Sequence, residues 1–464
     1  MSDKNNNLME KIVSLAKRRG FVFQSSEIYG GLAAVYDYGP LGVLLKNNIQ
    51  NEWWKAMVQR RADIVGLDAG ILMQARVWEA SGHIASFSDP LVDCQTCRLR
   101  HRADQLLEAT GVTADDKMPI SEINNLLQEH NIKCPDCGGQ LTSARDFNLM
   151  LKTHLGPIAN NESAVYLRPE TAQGIYVNFK NVLDSTRTKL PFGIAQVGKA
   201  FRNEITTKQF IFRTREFSQM EMQYFVKPQA APEDYQEWKK TRMDWWLDFI
   251  VNKKKLRYHE HEQLAHYAKA AYDIEYEFAW GWKELEGLHN RGDFDLSQHE
   301  KYSQQDLHYK DLESGKKFIP YIIEASMGLD RNILTFLVDA YEEIEGGRTE
   351  TTKSIKEKEV VLRLDRRLAP IKAAILPLSK KKEITKPAQE LAQELRKHFM
   401  VQYDETGSIG KRYRRQDEIG TPYCVTVDFE SLEDKKITVR DRDSMAQERI
   451  DIAELPSYLE DKLK

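Results

Sequence analysis

A chain of 464 residues is too long for one hydrophobic core, and a prior of roughly 100 to 200 residues per domain points to two to four units. Charged residues make up 30% yet nearly cancel to a formal net charge of −3, so a nucleic-acid partner has to be met by local basic patches. The polar start MSDKNNNLMEK has no apolar signal-type segment and no apolar run nears the ~18 residues of a membrane helix, so the expectation is a soluble, non-exported, cytoplasmic protein.

Leu8 to Arg18 reads as a helix, and a second begins at Pro40. There Leu41, Leu44, Leu45, Ile49, Trp53 and Met57 recur at intervals of three and four, a broad apolar stripe that Trp54 widens. ADIVGLDAGILM follows as a predicted strand, and then the segment Trp78-Glu-Ala-Ser-Gly-His83, to which residue chemistry alone gives no role. Of five cysteines, four stand in two C-x-x-C pairs, Cys94 with Cys97 and Cys134 with Cys137. Such spacing suits reduced thiols and a tetrahedral zinc with no open position, hence a structural site. The two pairs are far apart for a compact ribbon, but RADQLLEAT and SEINNLLQEHNI between them are helical in character and let the insert fold back. The alternative is free thiols in an insert that has lost its metal.

Residues 147–179 return to a main domain, carrying Arg168-Pro-Glu170. The stretch from Phe192 to Phe225 reads as two strands, Gly193 to Phe201 and Arg215 to Phe225, around a polar loop at Ile205 to Gln209. Arg202 and Glu204 lie two apart, as residues on one face of a strand do, and Arg213 and Phe217 enter the second strand under the same rule. Two guanidiniums, a carboxylate and a ring on one face suit a nucleoside triphosphate, because arginine forks grip phosphate and a flat ring stacks on a base. A surface hairpin with solvated charges is the competing reading.

PQAAPEDYQEWKKTRMDWWLDFI is helical, with Trp238, Trp245 and Trp246 as core anchors, and IEYEFAWGWKELEGL is strand-like and sets Glu284 among aromatics. Glu342 to Lys358 has no apolar period and reads as a linker. Beyond it strands and helices alternate to the end, which implies a separate α/β domain. The basic helix GKRYRRQDEIG in it carries Lys411, Arg412, Arg414 and Arg415.

Phe201-Arg202-Asn203-Glu204 followed by Arg213 to Phe217 resembles the second signature motif of class II aminoacyl-tRNA synthetases. Glu324-Ala-Ser-Met-Gly328-Leu-Asp330-Arg331 before an apolar helix resembles the third, with Asp330 where many members carry Glu. The Gly-Pro start and long helix at Pro40 resemble the first, which in that class builds a dimer interface. YLRPETAQGIYVNF, FRTREFSQME and IGKRYRRQDEIGTPYCVT are similar to the homodimeric glycyl-tRNA synthetases in particular.

The resemblance implies an α+β fold: an antiparallel class II sheet flanked by helices, a zinc-binding insert and a C-terminal α/β anticodon-binding domain. It sets the catalytic core at 1–90 and 146–342, with a helical insertion at 226–275. The insert is then 91–145, a linker 343–365 and the anticodon-binding domain 366–464. The implied reaction joins glycine to ATP as glycyl-adenylate and passes the glycyl group to tRNA, with Mg²⁺ as cofactor. Arg202 is implied on the α-phosphate, Arg213 and Arg331 on the γ-phosphate, Glu204 at the adenine, Phe217 stacked beneath it and Glu284 on Mg²⁺. The nucleotide site extends by resemblance to Asn203, Phe212, Thr214, Arg215, Glu216, Leu285, Gly328, Leu329 and Asp330. For glycine the resemblance implies Glu170, Glu221 and Glu324 around the ammonium, joined by Ser326 and Arg102, with Phe217, Ser218, Gln219, Met220, Ala325, Met327 and Gly328 alongside. Lys411, Arg412, Arg414 and Arg415 are implied tRNA contacts. Two alternatives stay open: a synthetase-like accessory or binding module, and a class II synthetase for serine, threonine or proline.

Overall fold

The computed structural model of the chain describes residues 2–112, 114, 118–158, 163–205, 209–261, 269–346, 348 and 358–464. Seven strands form the central sheet: β1 (Ile64–Gly66), β2 (Phe192–Phe201), β3 (Glu216–Val226), β4 (Leu256–Glu260), β5 (Ala270–Phe278), β6 (Gly281–Gly292) and β7 (Tyr321–Gly328). Their spatial order is β4-β5-β6-β7-β3-β2-β1. Every pair is antiparallel except β1, which runs parallel to β2. The middle of the predicted hairpin loop, 206–208, lies outside the described residues.

Around the sheet lie α1 (Ser2–Arg19), α2 (Pro40–Trp54), α3 (Ala172–Val177), α4 (Phe179–Thr186), α5 (Ala231–Phe249) and α6 (Leu329–Ala340). The two-residue period of the strands sorts their side chains onto two faces. Met220, Met222, Tyr224 and Val226 of β3, with Ile323, Ala325 and Met327 of β7, turn to the back. There they form one core with Leu45, Ile49 and Trp53 of α2, Trp238 and Trp246 of α5, and Ile333 and Leu337 of α6. Burial of each such side chain contributes about 1.5–3 kcal/mol, enough to set the register, since a slip by one would expose the whole row. On the front face, Phe192, Ile194, Phe225 and Ile322 are sealed by Ile175, Tyr176 and Phe179 of α3 and α4. The front of β3 and β7 beyond this seal carries the polar residues.

Three predicted spans differ. ADIVGLDAGILM is not one strand: Ile64–Gly66 is β1, whereas Leu72–Gln74 pairs with Ala164–Leu167 in another sheet. Between them side chains take the backbone groups, Ala69 N–H donating to Gln196 Oε1 at 2.9 Å and Ala69 C=O accepting from Arg168 Nη1 at 2.7 Å. The span 226–275 is helical over Ala231–Phe249, but β4 and β5 within it extend the central sheet, and 262–268 lie outside the described residues. The predicted linker opens and closes in structure, because Tyr341–Ile344 pairs antiparallel with Glu359–Leu362. Both strands pair through their backbones, and the half-buried Tyr341–Ile344 shows no apolar alternation; 347 and 349–357 lie outside the described residues.

The cysteine-bearing insert is a small unit in which Ser88–Asp93 pairs with Arg100–Arg102 and Arg145–Asn148. Helices Ala103–Ala109 and Ile120–Glu129 close a core of Val92, Leu107, Ile123 and Leu127. The C-terminal part is a five-stranded sheet of β8 (Ala373–Pro377), β9 (Val401–Tyr403), β10 (Tyr423–Val427), β11 (Lys436–Asp441) and β12 (Gln447–Asp451), in the order β9-β8-β10-β11-β12. With it go α7 (Lys382–Leu395), α8 (Ile409–Ile419) and α9 (Leu455–Lys462). Arg348 ties it to the preceding segment, holding Glu359 at 3.1 Å and pairing with buried Asp417 of α8.

Candidate active site

The open half of the front face is a cleft lined by Arg202, Glu204, Phe212, Arg213, Phe217, Glu284, Ser326 and Arg331. Two strand ends and a helix start bring them together. Arg202 leaves β2, and its Nε donates to Pro169 O at 3.0 Å, so its guanidinium lies 5.3 Å from the rings of both Phe217 and Phe87. Glu204 is buried and faces Arg213 at 3.5 Å. Arg331, in the first turn of α6, reaches Glu284 at 3.0 Å and lies 4.6 Å from the Phe212 ring. Three guanidiniums in a cleft with one half-exposed carboxylate can take a triphosphate, and the dipole of α6 adds to their field.

A β-bulge places Glu284. The ladder between β5 and β6 runs Asp273↔Gly287, Ile274↔Glu286 and then Glu275↔Glu284, skipping Leu285. Leu285 and Glu286 therefore both turn into the back, Leu285 in the core and Glu286 held by Arg242 at 2.6 Å and Trp246 at 2.8 Å. Glu284 returns to the front.

One strand step from the cleft the front face becomes acidic. Gln219, Glu221 and Gln223 stand opposite Gly328, Ser326 and Glu324. Glu324 accepts from Gln223 Nε2 at 2.7 Å and His289 Nδ1 at 2.8 Å, and Arg291 Nη1 lies 3.3 Å away. Burial would push Glu324 up, but Arg291, His289 and Gln223 overcome it and hold the carboxyl at about 2. Glu221 is driven the other way, well above the carboxylate range, by burial and then by Glu324 and Glu170. It accepts from Gln223 Nε2 at 2.9 Å and from the Thr171 hydroxyl. Glu170 accepts from Gln173 Nε2 at 2.9 Å and faces His83 Nε2 at 3.3 Å. Buried Gln223 Oε1 has no partner among the described residues. The pocket thus offers carboxylates and an unused acceptor to a small cation.

Two family models match the chain: a tRNA synthetase class II core domain (G, H, P, S and T) over residues 153–340 and an anticodon binding domain over 372–462. Glycine–tRNA ligase of Treponema denticola is 55% identical over 98% of this chain and 97% of its own. The glycine–tRNA ligases of Thermobifida fusca and Geobacillus kaustophilus are each 54% identical over 98% of this chain, and over 98% and 99% of theirs. The chain belongs to the glycine–tRNA ligase family of class II synthetases. Its sheet, with the arginines on one face of an antiparallel hairpin, is the class II core that the sequence motifs implied.

Several residues that the family resemblance assigned to ligands are occupied within the fold. Asp330 accepts from Ser218 N–H at 2.6 Å and from the Tyr38 hydroxyl, so its carboxylate anchors β3 to α6 at the edge of the nucleotide cleft. Arg215 donates to Glu204 O and Ala33 O, a backbone clamp. Glu216 pairs with Lys199 at 2.8 Å, Thr214 donates to Glu216 O at 3.1 Å, and Ser218 Oγ accepts from Lys46 of α2 at 2.9 Å. Met220, Ala325, Leu285 and Leu329 lie in the back core. Asn203 bonds through its backbone to Leu149 O. Arg102 is held by Asp89 at 2.9 Å and Asp104 at 2.5 Å, inside the insert. Gln173, Gln223, His289 and Arg291 belong to the pocket and were not foreseen; alternation along β6 from Gly287 to His289 and Arg291 was the available signal.

The four cysteine sulfurs lie within 4.8 Å of one another, Cys94 to Cys137 at 3.5 Å and Cys97 to Cys134 at 3.7 Å. Zinc–sulfur bonds of about 2.3 Å in a tetrahedron imply sulfur separations near ~3.8 Å, so the set fits zinc closely. The Cys97 N–H points at Cys94 Sγ from 3.4 Å, as in a knuckle. In α8, Arg412 is buried and spends its Nη1 on Pro377 O at 2.6 Å and Asp404 O at 3.2 Å. This corrects its assignment as a tRNA contact: it braces the loop beneath the helix. Lys411, Arg414 and Arg415 line a shallow groove with Thr406 and Gly407.

Proposed function

We propose that the chain activates glycine with ATP and transfers the glycyl group to the 3′ end of tRNA(Gly), working as a cytoplasmic homodimer. The observation that carries this reading is the juxtaposition of a three-arginine cleft and an acidic pocket on one sheet face, sharing Ser326. Arg202 sits between the two, where the α-phosphate has to meet the amino-acid carboxylate, while Arg213 and Arg331 take the γ-phosphate. Glu204 faces the adenine amino group, and Phe217 supplies the stacking surface. The glycine carboxylate attacks the α-phosphorus and pyrophosphate leaves; positioned cations stabilise the charge, and no protein nucleophile is required. Glu284 is the hard oxygen ligand for Mg²⁺, which when bound neutralises the phosphates.

Glu170, Glu221, Glu324 and Gln223 Oε1 receive the glycine ammonium. A filled pocket rejects alanine by clash, which discriminates better than the ~1–3 kcal/mol that a methylene contributes to binding. Cys94, Cys97, Cys134 and Cys137 hold a structural zinc, and Lys411, Arg414 and Arg415 meet the tRNA. The dimer is supported by the apolar side chains Ile28 and Tyr29, 88% and 86% exposed, and by Leu32 and Val43 near the start of α2. Among the described residues no helix is long and apolar enough to cross a membrane. ATP–pyrophosphate exchange run with each amino acid in turn tests the reading: exchange with glycine alone supports it, and exchange with serine, alanine or none overturns it.

A further inference from the structure

The segment Trp78 to His83 has no part in the chemistry above, yet it ends against the pocket. Trp78 is fully buried, and Gly82, at φ +82°, turns the chain between helix Ala75–Ala80 and the turn His83–Ser86. A side chain at that backbone angle would be strained, so glycine makes the reversal that aims His83 inward. The imidazole packs edge-on to the Trp78 ring at 5.5 Å and against Phe87 at 5.2 Å. Its Nε2 lies 3.3 Å from Glu170 Oε2 and its Nδ1 2.8 Å from Ser81 Oγ. A carboxylate only accepts, so Nε2 is the donor, and Ser81 Oγ, which also lies 3.4 Å from Trp78 O, holds the other ring nitrogen in place.

We propose that His83 is a positioning residue for the amino-acid site, orienting the Glu170 carboxylate toward the substrate ammonium. Glu170 follows Pro169 in a loop before α3, with no backbone ladder to fix its side chain. Gln173 fixes one carboxylate oxygen and His83 the other, which holds the carboxylate in one orientation where its charge reaches Glu221 of the pocket. Although burial opposes it, Glu170 is held well below the usual carboxylate range, and His83 heads the partners that do so. The same turn serves the nucleotide side, since Phe87 faces the Arg202 guanidinium and Phe87 O accepts from Leu149 N–H, whose O in turn accepts from Asn203 N–H. His83 therefore acts on glycine, and Phe87, four residues on, acts on ATP.

The inference rests on Glu170 facing glycine, so the test carries Glu170→Gln as its control. In glycine-dependent ATP–pyrophosphate exchange, His83→Leu is expected to raise the KM for glycine about tenfold, the effect of losing one hydrogen bond to a charged group. The KM for ATP and kcat should move by less than about twofold. His83→Gln, whose amide nitrogen reaches the place of Nε2, should restore most of the glycine affinity, and His83→Asn, one bond shorter, should not. If Glu170→Gln raises the glycine KM and a folded His83→Leu or His83→Asn does not, the inference falls and the pocket stands. If Glu170→Gln itself leaves glycine binding unchanged, the pocket reading falls first. Equal losses for ATP and glycine without rescue by Gln would make His83 merely part of the core and also overturn the proposal.

Discussion

Glutamine scanning of the acidic pocket separates carboxylates that differ in charge state. Glu324 is ionised and surrounded by Arg291, His289 and Gln223. Glu324→Gln strips buried Arg291 of one of its carboxylates and is expected to lose about 2–4 kcal/mol of stability. Glu221 is pushed well up by burial and by its acidic neighbours, so glutamine resembles the form already present. Its carbonyl still accepts from Gln223, and its amide can donate to the Thr171 hydroxyl. Glu221→Gln should therefore range from unchanged to about 2 kcal/mol more stable at neutral pH. The signs in pH are opposite. An acid raised on folding contributes stability that is present below its unfolded value, 4.5 here, and lost as pH rises through the folded value. The advantage of Glu221→Gln is thus absent near about pH 4 and grows toward neutrality. The contribution of Glu324 is present above 4.5 and lost as pH falls toward about 2. Urea unfolding of the ligand-free protein across pH measures both. In exchange, Glu324→Gln should lower kcat/KM for glycine about 10- to 100-fold, because the ammonium draws on its charge, whereas Glu221→Gln, which replaces a group already neutral, should lower it far less. If Glu221→Gln loses as much stability as Glu324→Gln at neutral pH, or its difference from the parent ignores pH, the reasoning is refuted.

Arg202→Ala should abolish adenylate formation with the fold intact, and normal exchange by a folded variant would remove this cleft as the ATP site. Elemental analysis should find one zinc per chain; chelating it should expose the insert to proteolysis while exchange persists, since Leu149 still bonds to Phe87 and Asn203 through the backbone. Lys411→Glu with Arg414→Ala should raise the KM for tRNA and leave exchange untouched, whereas Arg412→Ala should instead lower the melting temperature. Ile28→Glu with Tyr29→Glu should shift the sedimenting species toward monomer, and an unchanged species would argue against that face.

Much of this was legible in the sequence, and unevenly. The hairpin was visible because β3 alternates core methionines with polar residues, and the four-cysteine cluster because two C-x-x-C pairs stood out in the sequence. The class II motifs carried the arginines, whose side chains do line the cleft. Misreadings came where the partner is distant in the chain. Asp330 looks like a nucleotide residue until the Ser218 N–H and Tyr38 hydroxyl are seen to occupy it. Arg412 looks solvated in a basic run, yet it is buried and turned onto the backbone carbonyls of Pro377 and Asp404, while Arg415 on the same helix pairs with the Asp404 carboxylate at 2.7 Å. The strand Tyr341–Ile344 was invisible because backbone pairing leaves no apolar trace.

Glu284 shows how a local rule fails where a strand is bulged. Counting by twos from Glu286, which is locked into the back by Arg242 and Trp246, sends Glu284 to the back as well. A second buried carboxylate there, with no cation to meet it, would cost several kcal/mol. The bulge at Leu285 avoids this by giving the core one extra apolar side chain and returning the strand to register with Glu284 on the cleft side. The same irregularity that secures packing on one face delivers the carboxylate that meets Arg331 on the other. One unpaired residue in the ladder thus serves both the core packing and the cleft, and a straight strand of the same composition would lose the apolar side chain from one and the carboxylate from the other.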